Sequence, residues 1–349
     1  MKNIWESTDR PLLSNPFIFM SVNISYMLFI FSSFNENHHH NSIRVVIFLI
    51  TINQIVKNYG KNKALDGITL SIPKGICYGI VGPNGAGKTT LLKIMSSIIR
   101  DFTGEIQLSQ EERIGYIPQE ICLEQTLSAY SNLCFFGKLF GLKGKKLRER
   151  AEQVLEEIGL SQRGKDKVKD FSGGMKRRLN IGCALMHDPK LVIMDEPTVG
   201  IDPQSRRFIF KMIERMKERS CTIIYASHYM EEVEQLCDYV AFMDQGKIIE
   251  EDNIHMLLQK YAKVSVFVQG DHPLPATIKN LGEVTPRNNG YMIVTENPIY
   301  VMNEILASYE KVPSSLERLE LLRPRLEDVF FTLTGNALRD NTNQHEEVI

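Results

Sequence analysis

Apolar and polar residues alternate through residues 51–60 (TINQIVKNYG) and 64–75 (ALDGITLSIPKG), the period of strands with one buried face, and Gly, Asn and Lys punctuate the runs. A small antiparallel β subdomain is expected there. Residues 77–81 (CYGIV) form a continuous apolar run that ends at a glycine-rich loop, and the following 91–100 (LLKIMSSIIR) has helical spacing. Between 128 and 159, Leu133, Phe136, Leu139, Leu147, Val154, Leu155 and Ile158 recur among Lys and Glu, predicting amphipathic helices. Residues 191–195 (LVIMD) and 222–227 (TIIYAS) read as fully buried strands, each followed by a helical stretch, and 240–246 (VAFMDQG) reads as a strand ending in a turn. Strands alternating with helices predict a parallel α/β sheet.

The texture changes after about Tyr261. Strand-like 263–270 and 290–296 alternate with helical 276–282 and 299–310, and LEDVFFTLTG (326–335) closes the pattern, which together read as a small α+β domain. The expected organisation is an apolar N-terminal extension over 1–50, a large α/β domain over 51–261, an accessory α+β domain over 262–335 and a polar, frayed tail over 336–349. Within the extension, residues 17–34 are strongly apolar but are diluted by Ser21, Asn23, Ser25, Ser32 and Ser33. Three readings of it stand: a single membrane anchor, an interfacial helix, or translated sequence upstream of the true start, the last preferred because orderly patterning begins only near Thr51. Trp5, Glu6 and Asp9 supply no secretory signal, and His38–His40 has no further ligand at useful spacing.

Composition narrows the partners. With 43% hydrophobic and 24% charged residues and a net charge of -1, the chain is ordinary globular protein with no electrostatic reason to bind nucleic acid. Its six cysteines include no C-x-x-C pair, so neither a zinc site nor a disulfide framework is indicated and a reducing cytosol fits.

The chemistry begins at Gly82-Pro83-Asn84-Gly85-Ala86-Gly87-Lys88-Thr89, a G-x-x-x-x-G-K-[ST] phosphate loop followed by Thr90. Its glycines let backbone N–H groups converge on phosphate oxygens, and a helix N-terminus adds partial positive charge. Lys88 is placed to reach the β- and γ-phosphates of ATP, and Thr89 offers a hydroxyl to Mg²⁺. LVIMDEP (191–197) adds Asp195, to hold Mg²⁺ through water, and Glu196, to act on the attacking water. Alone, such a pair is more often a solvated strand end; Lys88 gives it weight.

Between these segments lies Phe171-Ser172-Gly173-Gly174-Met175, which resembles the signature motif of ABC ATPases. A lone Ser-Gly-Gly is a common linker. The ordered set decides: phosphate loop, Gln119 in YIPQE, Ser172–Gly174, Asp195–Glu196, Asp202 in GIDP and His228 in ASHYMEE, together covering most of residues 51–250. The resemblance implies a P-loop NTPase (RecA-like) α/β core with an antiparallel β subdomain and a helical signature subdomain, plus the small C-terminal α+β domain. It further implies that Tyr59 stacks on adenine and that Gln119 touches Mg²⁺ and the lytic water. His228 would contact the γ-phosphate, and Asp202 would lie at a subunit boundary. The bland alternatives are a surface turn for Gln119, a helix-cap neighbour for His228 and an ordinary N-cap for Asp202. Phe171 and Met175 depart from the commonest signature, and Ile201 from the commonest boundary loop; the Ser-Gly-Gly-Met form and the 326–335 segment resemble drug, lipid and antibiotic exporter ATPases.

From this resemblance we expect ATP to join a phosphate loop in one subunit to Ser172, Gly173 and Gly174 of another, either a second copy or a related ATPase. The pair would drive a separate transmembrane permease from the cytoplasmic face of the membrane. A soluble ABC ATPase of translation or DNA repair is the runner-up; such proteins typically carry two ATPase units or a long coiled-coil arm, and neither is visible.

Overall fold

The computed structural model describes residues 48–108, 113–261, 264–270, 274, 278, 281–287, 289–310 and 316–335. The apolar run at 17–34, the His38–His40 linker, most of the helix expected over 276–282 and the tail at 336–349 lie outside the described residues.

β1 (Phe48–Tyr59) and β2 (Asn62–Pro73) form an antiparallel hairpin, and β4 (Thr103–Leu108) pairs antiparallel with the other edge of β1. The alternation read in 51–60 and 64–75 turns Ile50, Ile52, Ile55, Leu65, Ile68, Leu70 and Ile72 inward onto one core. The main sheet runs in the order β5 (Ile114–Ile117), β6 (Leu191–Asp195), β7 (Thr222–Ser227), β3 (Cys77–Val81), β8 (Tyr239–Asp244), β9 (Lys247–Asn253). All its pairings are parallel except β8 with β9, an antiparallel edge hairpin turning at Gly246. Along β6, Leu191 and Ile193 face the core shared with the β1–β2 hairpin, whereas Val192 and Met194 face the opposite core. Such a strand, buried on both sides, reads as unbroken apolar sequence.

Helix α1 (Lys88–Met95) lies between the two sheets, burying Leu91, Leu92, Ile94 and Met95. It stops well short of the helical spacing read over 91–100, because Ser96 bonds its hydroxyl back to Leu92 O at 2.9 Å and Ser97 takes a left-handed φ of 60°. On the other face of the main sheet are α2 (Ala129–Leu139), α3 (Gly144–Glu157), α4 (Gly173–Leu185), α5 (Pro203–Glu218), α6 (Met230–Leu236) and α7 (Ile254–Tyr261).

A separate antiparallel sheet has the order β11 (Glu283–Arg287), β12 (Gly290–Val294), β10 (Ser265–Gly270), β13 (Leu316–Leu322), and α8 (Pro298–Glu310) seats Val301 and Ile305 in its core. The last helix, α9 (Leu326–Thr334), corrects the sequence reading that grouped it with this sheet. Its Leu326, Val329 and Phe330 fill the core of the large domain, with the Phe330 ring 5.7 Å from that of Phe242. Arg325 Nη1 meets Glu231 at 2.8 Å, and the Leu326 N–H donates to Glu234 Oε2 at 3.1 Å, so α9 is fastened to α6. The sequence reading assigns this segment no conformation of its own, and apolar spacing does not say which core a helix fills.

Candidate functional site

Strand register brings the motifs together. β3 and β7 pair Val81 with Ser227, β6 and β7 pair Asp195 with Ala226, and β5 and β6 pair Ile117 with Met194. The C-terminal ends of these neighbouring parallel strands are therefore level, and the segments carrying Gly82–Thr90, Gln119, Asp195–Glu196 and His228 all emerge along one sheet edge. Open α/β sheets bind ligands at such an edge.

The loop after β3 is shaped by close backbone approach. A Cβ on Gly82 would stand 1.9 Å from the carbonyl oxygen of Met243, and Gly87 caps α1 with a φ of 103°, a conformation that suits glycine. Lys88, 5% exposed, donates from Nζ to the carbonyls of Gly82 at 2.7 Å and Pro83 at 3.1 Å, and lies 3.5 Å from Glu196 Oε1. The ammonium is thus held at the mouth of a loop whose N–H groups and helix end favour anions.

The neighbouring carboxylates have opposite electrostatics. Asp195 is 1% exposed and accepts from Thr89 Oγ1 at 3.1 Å and Tyr116 OH at 3.5 Å. Burial pushes its pKa up, with Glu196 adding to the rise and the Thr89 hydroxyl opposing it. Glu196 takes a left-handed φ of 46° and its N–H donates to Ala226 O at 3.0 Å. Its Oε1 lies 3.2 Å from His228 Nδ1, and its Oε2 accepts from Gln119 Nε2 at 3.4 Å. Burial pushes the Glu196 carboxyl up, but His228 and Lys88 outweigh it and hold the group below its ordinary value. Glu196 is therefore an ionised carboxylate at neutral pH, held in a backbone conformation that costs about 1–3 kcal/mol for a residue with a Cβ.

The shift at Asp195 gives a stability prediction. A carboxyl whose folded pKa is raised costs stability once ionised, and the cost vanishes below the unfolded pKa, when both states are protonated. Asp195→Asn is expected to raise the Tm of the nucleotide-free protein at pH 7, the advantage shrinking as pH falls through the raised folded pKa and gone below about 4. Calorimetry across that range checks it; an advantage that grows on acidification would contradict the assignment.

Thr89, Asp195 and Gln119 present only oxygen donors, a hydroxyl, a carboxylate and an amide, which suits a hard cation. No cluster of three His, Cys, Asp or Glu ligands occurs among the described residues. A cation here would draw its remaining ligands from phosphate and water, as Mg²⁺ ordinarily does.

A second group of motif residues forms around two helix N-termini. Ser172 caps α4 by accepting from the Met175 N–H at 3.3 Å, and Asp202 caps α5 by accepting from the Ser205 N–H at 2.9 Å. The Ser205 backbone N–H is the main cause holding the Asp202 carboxyl below its ordinary value. A Cβ on Gly174 would stand 1.9 Å from Ser205 Oγ and 2.9 Å from Asp202 Oδ2, so the Ser172 turn and the Asp202 cap lie against each other. Gly173 has nothing within 4 Å of its would-be Cβ. Tyr59 lies on β1, 51% exposed, with Lys57 Nζ 5.1 Å from its ring centre, and no described contact joins it to the phosphate loop.

Sequence reasoning missed several supporting residues. Arg177 forks onto the carbonyls of Pro118 and Gln119, tying α4 to the Gln119 loop. Tyr116 backs Asp195. Glu232, 3% exposed, gathers Thr198 Oγ1 at 2.7 Å, Tyr225 OH at 2.8 Å and Ser227 Oγ at 3.3 Å. The available signal was a glutamate one helical turn beyond His228, on a helix whose Met230, Val233 and Leu236 are buried.

The ABC transporter family pattern matches residues 65–199. The linearmycin resistance ATP-binding protein LnrL of Bacillus subtilis is 40% identical over 318 residues, 84% of this chain and 100% of that protein. A Nod factor export ATP-binding protein I of Cupriavidus metallidurans is 35% identical, over 84% of this chain and 99% of its own length. Among solved structures, cbiO1 of Clostridium perfringens, part of the ABC transporter complex cbiONQ, superposes with a TM-score of 0.56 at 28% identity, covering 62% of this chain and 92% of that one.

Proposed function

Because the chain belongs to the ABC transporter family and is one of its ATP-binding, ATP-hydrolysing subunits, which dimerise on ATP to drive a separate membrane permease, we propose the following roles for its residues. The backbone of Gly82–Thr90 and Lys88 grip the β- and γ-phosphates, and Tyr59 stacks on the adenine. Glu196 accepts the proton of the attacking water. Gln119 orients that water, and His228 contacts the γ-phosphate. Mg²⁺ suits the oxygens of Thr89, Asp195 and Gln119 and, when bound, neutralises phosphate charge. Ser172, Gly173 and Gly174 approach the γ-phosphate held by a second subunit, a copy of this chain or a related ATPase, with Asp202 at the boundary between them.

The observation carrying this reading is the placement of Glu196, within 3.5 Å of Lys88, His228 and Gln119 at the edge where four strand ends align. A general base must be ionised and close to the reacting water, and the depressed pKa of Glu196 meets the first condition. The exposed Ser172 turn supports the second-subunit contact, since a helix N-terminus is an anion site awaiting a ligand from outside.

The partner permease is a transmembrane protein, and no nucleic acid is involved. No helix among the described residues is long and apolar enough to cross a membrane. We place the chain at the cytoplasmic face because its relatives are named as ATP-binding proteins of resistance and export systems, an anchor at residues 17–34 being one of the three readings of that segment. We infer that transport is outward, because relatives are named for linearmycin resistance, Nod factor export and daunorubicin resistance.

Ser172→Glu tests the composite site. It places a carboxylate where a γ-phosphate from the other subunit is expected, and like charges a few ångströms apart repel by several kcal/mol. With a non-hydrolysable ATP analogue, the parent should elute as a dimer on sizing chromatography and the variant as a monomer that still binds nucleotide. A variant that dimerises like the parent would remove Ser172 from the site.

A further inference from the structure

A buried carboxylate outside the proposed catalytic set links three of the segments that carry it. Glu232 lies on α6 and is 3% exposed. Its Oε2 accepts from Thr198, on the loop between Glu196 and Asp202; from Tyr225, on β7; and from Ser227, the residue before His228. Its Oε1 lies 3.3 Å from Arg206 Nε, at ion-pair distance without hydrogen-bond alignment. Arg206 is in the first turn of α5, where its N–H donates to the Asp202 carbonyl at 3.0 Å.

We propose that Glu232 is a positioning residue that holds His228 against Glu196 and ties that contact to the Asp202 segment. The reading rests on the proposed role of His228 at the γ-phosphate. Ser227 Oγ donates to Glu232 and accepts the Tyr229 N–H at 3.0 Å, so the backbone on both sides of His228 is pinned through one hydroxyl. The His228 ring packs on Tyr229 with centres 4.0 Å apart, and Arg206 lies over the Tyr229 ring at 5.7 Å. A shift of α5 when Asp202 meets a second subunit thus reaches His228 through Arg206 by two routes, Glu232 and Tyr229.

Packing alone gives no reason for a carboxylate here. A buried charge is expensive to desolvate, and an apolar side chain of similar volume is often as stable or more so. What the carboxylate adds is direction: its Oε2 gathers two hydroxyls from β7, the second just before His228, and one from the loop after Glu196, while Oε1 faces a guanidinium from α5. Gln in its place keeps one acceptor oxygen but turns an amide toward Arg206 or toward the hydroxyls, and so loosens one side of the junction.

The test is a double-mutant cycle on steady-state ATPase of the full chain, with the parent, Glu232→Gln, His228→Ala and the double variant. Glu232→Gln should lower kcat about tenfold, the rate equivalent of one charge-assisted hydrogen bond, and leave KM for ATP within about twofold. In the His228→Ala background the same change should alter kcat by less than about twofold, because Glu232 then has nothing left to position. Multiplicative losses, or a Glu232→Gln protein with the parent kcat, would overturn the proposal. If Glu232→Gln does not fold, Ser227→Ala takes its place in the cycle with the same expectation. Parent-like turnover by His228→Ala alone would instead overturn the role given to His228, so the two failures are told apart.

Discussion

Glu196→Gln is expected to cut ATP turnover by a factor of about 10²–10⁴, the usual contribution of a positioned general base, while ATP binding persists. Gln matches Glu in shape and can still pair with Gln119 and His228, so the site keeps its form, but the amide cannot take a proton from water. Blocking hydrolysis leaves the γ-phosphate in place, and the two subunits stay joined by it. The purified variant should therefore elute as a dimer with ATP and Mg²⁺ and return to monomer when nucleotide is removed. Phosphate release and sizing chromatography read the two halves of this result. A variant that hydrolyses at the parent rate, or stays monomeric with ATP, would falsify the role of Glu196.

The second large effect belongs to Lys88. Lys88→Ala should weaken ATP binding about 30-fold or more, since truncating one partner of a buried, hydrogen-bonded charge pair costs about 2–5 kcal/mol. It also removes a positive neighbour that helps hold the Glu196 carboxyl down, so the Glu196 pKa should rise toward its ordinary value. The sign is checkable. A depressed folded pKa stabilises the protein above the unfolded value, and that stability is lost as pH falls through the folded pKa. Lys88→Ala should shrink the part of the acid destabilisation that Glu196→Gln removes. Equilibrium binding of a fluorescent ATP analogue measures the first effect and acid titration of Tm the second; unchanged affinity would take Lys88 out of the phosphate site.

Much of the site could be read from the chain because its parts are local. CYGIV, the glycine loop and LLKIM form a strand, turn and helix in consecutive residues, and LVIMD carries its carboxylates at its own end. Convergence of these segments follows from parallel pairing, which levels Val81, Asp195 and Ser227 along one edge. What could not be read depends on contacts between distant segments. Glu232 looks like any surface glutamate in MEEVEQL until Thr198, Tyr225 and Arg206 arrive from three other elements. The edge strands β9, β11 and β13 mix apolar and polar residues without a clean period, and half-buried edges demand none, while β5 is only four residues long, too short for its alternation to stand out. The helical spacing over 91–100 overran α1 because Ser96 and Ser97 end the helix by backbone chemistry that hydrophobic periodicity does not register.

The return of α9 to the large domain changes what counts as the smallest usable piece of this protein. Ending the chain at Tyr261, where the texture of the sequence changes, would delete Leu326, Val329 and Phe330 from beside Phe242 and open a cavity next to α6, the helix that begins two residues after His228. Biochemistry done on such a fragment would report on a damaged histidine segment, so the shortest fair specimen must run through Gly335.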